Sequence, residues 1–479
     1  MTFDRLRTFL LFLAIGVAAA LMPAQADTWW HLRAGQEMWR THALLTVDTF
    51  SHTVAGTYWP NHEWLFEVLL YPVFAAGGVA LVTLVCAAAA TAAWIIVWRE
   101  IPAPPRVRFM LMAGVLISAV GTWSPRPQVF SLLLLTVTVA LLRRRRYAWL
   151  PIIFLGWANL HGAVVIGGVV VAAAFAAAIV EDRAAAIRFA PWAAATFAAT
   201  LVTPMGIHFW IAIVRSLGRI RMIGIDEWAP PRLGDVAMLP FWIPAAALVG
   251  LVLARGRRLL GDEAARRDGQ ITICVCALAL LPPAIGAVRN VPPFLLIAVP
   301  AIAALARSAS ATKARRHEDR LFSSCFRVFR ASEDDRSVAA PRANLALAIA
   351  AAAASIVVVA LSYTRSAPHL NWQPLPPRSL AALDACHGNL YNRYDEGGYL
   401  IWFAPAHRVF LDGRQDPFPP ALIEDQRRVE QSGNYDDLFR RYRIECAYLP
   451  ADSIVASRLA SDGWRSLYQD DHQFTVLAR

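Results

Sequence analysis

The first polar stretch of the chain holds most of the side chains able to do chemistry. Asp27-Thr28-Trp29-Trp30-His31 follows directly on an apolar run, and Asp48, His52, Asn61, His62 and Glu63 complete the segment 27–63. Asp27 and His31 are four residues apart, so a helical turn places them on one face. A carboxylate there can act as a general base or bind a metal. The plainer reading is an interfacial anchor, with Asp capping a helix and the tryptophans at headgroup level. His62-Glu63 begins like a zinc-protease signature, but the second histidine would have to stand at position 66, which is Phe66. A divalent metal held by some of Asp27, His31, His52 and Glu63 is an open alternative to histidines that simply bond backbone.

Further polar groups recur at intervals: Arg126 with Gln128, Asn159 with His161, then His208, Asp226 and Glu227, then Arg289 with Asn290. Segment 207–228 reads as an amphipathic surface helix. Ile207, Phe209, Trp210, Ile213 and Leu217 are apolar, and Arg215, Arg219 and Arg221 are basic. It either lies on anionic headgroups or offers guanidinium groups to a phosphate. Arg289, isolated between two apolar runs and followed by Pro292-Pro293, is a second candidate for phosphate binding.

The elements that must position these groups follow from composition. Of 479 residues, 57% are hydrophobic and 17% charged, with a mean hydropathy of +0.43. That excludes a single soluble globule and a disordered chain. The expected fold class is an α-helical polytopic membrane protein with about eleven transmembrane helices and a small C-terminal α/β extracytoplasmic domain. The apolar runs are 8–26, 64–98, 107–123, 128–142, 147–160, 163–180, 186–202, 238–254, 270–288, 291–307 and 343–362. A membrane domain 1–362, with 27–63 as its first outer loop, is then followed by an outer domain 363–479.

The net charge of +11 is almost all arginine, Lys313 being the only lysine. Nucleic-acid binding would be the first reading of such a chain, but the arginines fall in alternate short loops. Arg5 and Arg7, Arg99 with Arg106 and Arg108, Arg143–Arg146, Arg183 with Arg188, Arg255 with Arg257 and Arg258, and the stretch 307–342 lie on one side of this threading. The positive-inside rule makes that side cytoplasmic, which puts the amino terminus inside and the tail outside. The polar groups above then collect at outer ends of the spans, as around an outward-facing cavity. Residues 1–26 also admit a signal-peptide reading, with Ala24-Gln25-Ala26 as the cleavage site. The stretch 307–342 reads as a disordered loop.

In the tail, short runs at Gly398–Phe403, Arg408–Leu411 and Glu445–Leu449 read as strands, and 421–442 as helical. Asp395-Glu396-Gly397-Gly398 and Asp412–Pro417 read first as turns, with loops lining the cavity and binding acceptor as the alternative. Cys386 and Cys446 either pair or remain separate buried thiols. Cys274 and Cys276, two apart in a span, point to different faces and do not suit a metal.

The wording Asp27-x-Trp-Trp-His-Leu, Asp48-Thr-Phe-Ser-His-Thr and Asn61-His-Glu-Trp-Leu resembles a bacterial branch of the GT-C superfamily of membrane glycosyltransferases. Arg126-Pro-Gln, Asn159-Leu-His-Gly, Tyr394-Asp-Glu-Gly-Gly-Tyr-Leu and Leu411-Asp-Gly-Arg look similar to the same branch. The superfamily includes protein mannosyltransferases, the aminoarabinose transferases of lipid A and oligosaccharyltransferase catalytic subunits. The chain lacks an Asp-x-Asp in the first loop and a Trp-Trp-Asp-Tyr-Gly-like tail element, so the resemblance does not extend to the oligosaccharyltransferase reaction.

The resemblance implies transfer of a sugar from a polyprenyl-phosphate carrier in the outer leaflet of a bacterial inner membrane. Asp27 stands at the family's base position, and Glu63 or Asp48 is the expected second carboxylate. His31, His52, His62, Arg126, Asn159, His161, Arg215, Arg219 and Arg289 are the expected substrate-binding groups. A non-enzymatic transporter, flippase or scaffold is the rival reading. A transporter would spread polar groups through the membrane midplane, whereas here they sit at one end.

Overall fold

A computed structural model describes residues 1–223, 226–313, 341–365, 369–470 and 473–479. Most of the stretch 307–342 lies outside the described residues, as do the side chains of Arg219, Arg221 and Asp226. The chain begins with α1 (Phe3–Ala20), α2 (Ala26–Thr41), α3 (Trp64–Glu100), α4 (Pro105–Leu116) and α5 (Pro127–Arg143). Then come α6 (Leu150–Leu160), α7 (Val164–Glu181), α8 (Arg183–Ala199), α9 (His208–Ile223), α10 (Leu239–Gly261), α11 (Glu263–Arg267), α12 (Gln270–Gly286) and α13 (Val291–Lys313). After α14 (Pro341–Arg365), the tail holds α15 (Pro377–Leu383), β1 (Asn389–Asn392), α16 (Tyr394–Phe403), α17 (Pro420–Ser432) and α18 (Asp436–Tyr442). It closes with β2 (Ile444–Pro450), α19 (Ile454–Ser461), β3 (Arg465–Gln469) and β4 (Phe474–Ala478).

Each apolar run of the sequence is occupied by a helix. Among the described residues, five helices are long and apolar enough to cross a membrane: Trp64–Glu100, Val164–Glu181, Val236–Gly261, Val288–Arg307 and Pro341–Arg365. Pro127–Arg143, Tyr147–Leu160 and Gln270–Gly286 are shorter apolar helices. The chain falls into two compact units.

The first unit contains Met1–Met22, Leu84–Val202 and Asp226–Ser362. Small residues let its helices approach closely; a Cβ on Gly167 would come within 2.5 Å of the Trp157 ring. Arginine ties one end of the unit together. Glu100, at the end of α3, takes Arg143 and Arg144 (2.6 Å) from the end of α5, and Arg145 reaches Glu181 at the end of α7 (3.5 Å). Arg143 also donates to the Asp268 carbonyl, just before α12 (3.2 Å). Arg126, at the start of α5, is therefore at the opposite end.

The second unit contains Pro23–Thr83, Thr203–Ile225 and Tyr363–Arg479. Residues 27–63, expected as a loop of the membrane domain, pack here with the tail. The four-stranded sheet has the order β1-β2-β4-β3, with β1 parallel to β2 and the other pairs antiparallel. Along β2, Ala447 and Leu449 face a core built with Leu422, Val429, Phe439 and Val455. Cys446 and Tyr448 face the other core, which contains Trp30 and Ala34 of α2, Trp59, Leu383 and Leu400. Cys386 and Cys446 are disulfide-bonded, with their Cα atoms 6.1 Å apart.

Three tail expectations are corrected. Gly398–Phe403 is the latter part of helix α16, and Asp395–Gly398 forms its first turns instead of a loop turn. The glycines are needed for proximity: a Cβ on Gly397 would lie 2.3 Å from the Leu411 carbonyl oxygen, and one on Gly398 2.3 Å from that of Ala26. Arg408–Leu411 joins no strand of the sheet; Val409 makes only an isolated parallel bridge to Ser51. The helical stretch 421–442 is two helices, parted at Gly433, whose φ of +71° suits glycine.

Candidate active site

Helix α2 starts with a capping box between Gln25 and Thr28, and Asp27 lies in its first turn, where a negative charge complements the helix dipole. Trp30 and Ala34 carry the helix into the sheet's core, so the tail holds the helix that bears Asp27. Asp27 is partly exposed, and its Oδ1 accepts a hydrogen bond from the Trp30 indole at 3.0 Å. Burial pushes the Tyr399 phenol up to about 12, with the Asp27 and Glu396 charges adding to the shift.

His31, one turn on, is buried between two carboxylates. Its Nδ1 lies 3.1 Å from Glu67 Oε1, and its Nε2 lies 3.5 Å from Glu63 Oε2. Glu63 and Glu67 are four apart at the start of α3, which is how they reach both ring nitrogens of one imidazole. Asn61 donates to Glu67 Oε2 at 2.7 Å. Glu67 is fully buried, whereas the Glu63 side chain is 14% exposed. His62 Nδ1 lies 3.3 Å from Asp416 Oδ2. Burial alone would lower its pKa, but the Asp416 hydrogen bond and the Glu63 and Asp416 charges outweigh burial and raise it to about 9.

Asp48 is sealed. Its carboxylate pairs with Arg414 at 2.5 Å and accepts from Ser51 Oγ at 2.6 Å and Ser51 N at 3.1 Å. Arg414 is forked onto Asp412 through Nε (2.8 Å) and Nη2 (2.7 Å), and its guanidinium stacks 4.7 Å from the Trp59 ring centroid. The paired carboxylates raise the Arg414 pKa despite burial. Asp48 thus has its charge balanced by a buried guanidinium. His52 Nε2 meets the Leu390 carbonyl at 2.9 Å, and burial lowers the His52 pKa. Arg215, on α9 in the same unit, is exposed.

The other expected groups belong to the first unit. Arg126 caps the start of α5 and lies 3.9 Å from Glu227 Oε2. Arg289, in the turn Val288–Asn290, lies 3.0 Å from Glu227 Oε1 and 4.1 Å from the Trp228 ring centroid. Asn159 donates to the Val202 and Leu155 carbonyls, and His161 Nδ1 lies 2.7 Å from Ser131 Oγ. Among the described residues, no group of three or more His, Cys, Asp or Glu side chains is arranged to hold a metal ion. Asp27 bonds the Trp30 indole and His52 the Leu390 carbonyl, while His31 and Glu63 contact each other.

Glu67 and Arg414 were not singled out from the sequence. Glu67 had a signal, since it is the lone carboxylate within an apolar run and stands one turn from Glu63. Arg414 stood within the Leu411-Asp-Gly-Arg element, but nothing in the sequence gave its guanidinium a role.

Among solved structures, the fold matches the Archaeoglobus fulgidus oligosaccharyltransferase tethered with an acceptor peptide containing the NVT sequon. The TM-score is 0.54 at 14% identity, covering 98% of this chain and 74% of that one. The oligosaccharyltransferase AglB from Archaeoglobus fulgidus, in complex with an inhibitory peptide and a dolichol-phosphate, matches with a TM-score of 0.53 at 12% identity, covering 93% of this chain and 69% of that one. ArnT from Cupriavidus metallidurans in the apo state aligns with a TM-score of 0.49 at 14% identity, covering 98% and 97%. No protein-family model matches the sequence, and no curated protein matches it in sequence. The chain has the helical membrane fold of these oligosaccharyltransferases, as its likeness to the GT-C superfamily implied.

Proposed function

We propose that the protein is a membrane glycosyltransferase that moves a sugar from a polyprenyl-phosphate carrier to an acceptor hydroxyl on a glycan, lipid or protein. The observation that carries this is the fold shared with oligosaccharyltransferases, one of which holds a dolichol-phosphate. Asp27 is the base. Of the three carboxylates expected to act, Asp48 is consumed by Arg414, while Asp27 and Glu63 are only partly buried. The acceptor oxygen attacks the anomeric carbon, and its proton passes to Asp27. The bond from that carbon to the phosphate oxygen breaks, and its electron pair stays on the phosphate. Glu63, partly exposed and held in place through buried His31 and Glu67, offers a hydrogen bond to the acceptor.

Arg126 and Arg289 take the carrier's phosphate. Both already hold an anion, the Glu227 carboxylate, and guanidinium groups bind phosphate and carboxylate in the same geometry. The chain sits in a bacterial inner membrane with its amino terminus inside and its tail in the periplasm, as the arginine distribution implies.

The test uses purified protein in nanodiscs, native mass spectrometry with undecaprenyl phosphate, and libraries of its sugar-linked forms. Arg289→Ala should weaken carrier binding by about tenfold or more, the loss of one charged hydrogen bond. Asp27→Asn should bind the carrier normally yet lose transfer by about a hundredfold or more. Absence of carrier binding by the wild type would refute the transferase reading.

A further inference from the structure

The Leu411-Asp-Gly-Arg turn of the tail meets Asp27 by two routes. A Cβ placed on Gly413 would lie 2.4 Å from Asp27 Oδ1 and 3.7 Å from the Trp30 indole nitrogen. The Gly413 backbone thus walls the same carboxylate oxygen that the indole holds. Gly413 is not among the glycines of positive φ, so proximity and not backbone conformation demands the missing side chain. The second route is through packing. Arg414 stacks on Trp59, whose ring stands 6.0 Å edge-to-face from that of Trp30. Arg414 is itself immobilised by the fork to Asp412 and the pair with Asp48, with its side chain 0% exposed. Such a network costs more to bury than three apolar residues would, and stability alone is a weak reason for it.

We propose that Gly413, Arg414 and Trp30 are positioning residues for Asp27, so that the tail is part of the catalytic site and not an accessory to it. This rests on the transferase reading for its consequence in catalysis, but not for its geometry. Trp30 fixes the carboxylate rotamer through the indole hydrogen bond, Gly413 limits its swing, and Arg414 holds both in place. Displacing a base by a fraction of an ångström reduces turnover and leaves carrier binding alone.

The experiment reads the two consequences separately, in full-length protein in nanodiscs. Carbodiimide amidation of Asp27 is followed by peptide mass spectrometry at a fixed pH in wild type, Gly413→Ala, Trp30→Phe and Arg414→Lys, with exposed Asp437 as the internal standard. Sugar transfer from undecaprenyl-phosphate-linked sugars is measured on the same samples. Gly413→Ala and Trp30→Phe should change Asp27 amidation relative to Asp437 by about threefold or more, the scale of one lost hydrogen bond. They should lower kcat by about tenfold to a hundredfold with carrier KM within about twofold. Arg414→Lys keeps the charge but loses the fork, and should fail to restore either value.

Trp30→Phe removes the donor without inserting an atom, so it keeps the test alive if Gly413→Ala does not fold. Unchanged amidation of Asp27 in folded Gly413→Ala or Trp30→Phe overturns the proposal. Altered amidation with no transfer by any sample, wild type included, upholds the positioning and overturns the transferase reading instead.

Discussion

Asp27 and Asp48 stand in the same polar segment and meet opposite surroundings. Asp48 is 1% exposed and shares Arg414 with Asp412, whereas Asp27 keeps partial exposure beside an indole and a glycine. Removing the Asp48 charge would leave Arg414 with one of its two buried counter-ions. Asp48→Asn should lower stability by about 3 kcal/mol, read as an earlier thermal transition in tryptophan fluorescence; an unchanged transition would contradict the role. His62 supplies a second test at this scale. Its pKa rises from an ordinary 6.5 to about 9, burial opposing the shift and the Asp416 bond and the Glu63 and Asp416 charges driving it. The sign follows: its contribution to stability is full below about 6.5 and disappears as pH rises through about 9. Melting temperature should fall across that window in wild type, and Asp416→Asn should flatten the fall. The place of Asp27 in the first turn of α2 was legible in the sequence because its spacing from the first apolar run is local. Arg414 was not, because its partners Asp48 and Trp59 are more than three hundred residues away in the chain.

Helices were easier to foresee than strands, for a physical reason visible in α16. Tyr394–Phe403 contains two adjacent glycines and ends in an apolar run, a pattern that local rules assign to a turn followed by a strand. What makes it helical is tertiary contact: Leu400 and Ile401 enter the sheet's core, and Gly397 and Gly398 let the helix backbone press on its neighbours. Intrinsic propensity and packing therefore make opposite predictions for Gly398→Ala. Propensity alone predicts a gain of about 1 kcal/mol in a helix interior. The Ala26 carbonyl oxygen 2.3 Å from the added Cβ predicts a loss of about 1–3 kcal/mol through overpacking. The loss should prevail in thermal denaturation, since the obstacle is backbone at the start of α2 and has no rotamer to yield. A stabilised Gly398→Ala would mean that α2 and α16 are not in close contact.

The membrane class of the whole chain could be read from its composition, because hydrophobic runs need no knowledge of tertiary contacts. The grouping of residues 27–63 with the tail could not, since it depends on Trp30, Ala34 and Trp59 finding a sheet made more than three hundred residues later. Charge segregation was legible at this scale too. Arg143–Arg145 tie the ends of α3, α5 and α7 at one end of the first unit, and Arg126 with Arg289 shares Glu227 at the other. Which side of the membrane the tail faces has a chemical readout in its own disulfide. The Cys386–Cys446 bond joins the chain just before β1 to the central strand β2 over a separation of 60 residues. Such a closure constrains the unfolded chain by about 4 kcal/mol, and it persists only in an oxidising compartment. Cells quenched with acid and blocked with a maleimide should therefore yield protein whose Cys386 and Cys446 escape the first label and take a second one after reduction. Cys86, Cys274 and Cys276, buried in the helices of the first unit, serve as thiols that label once the chain is denatured, without reductant. Cys386→Ser should lower the melting temperature of the purified protein, and a reductant should do the same to wild type but not to the variant. Cys386 and Cys446 found as free thiols in quenched cells would place the tail in the cytoplasm, and with it Asp27 and the whole proposed chemistry on the wrong side of the membrane for an outer-leaflet donor.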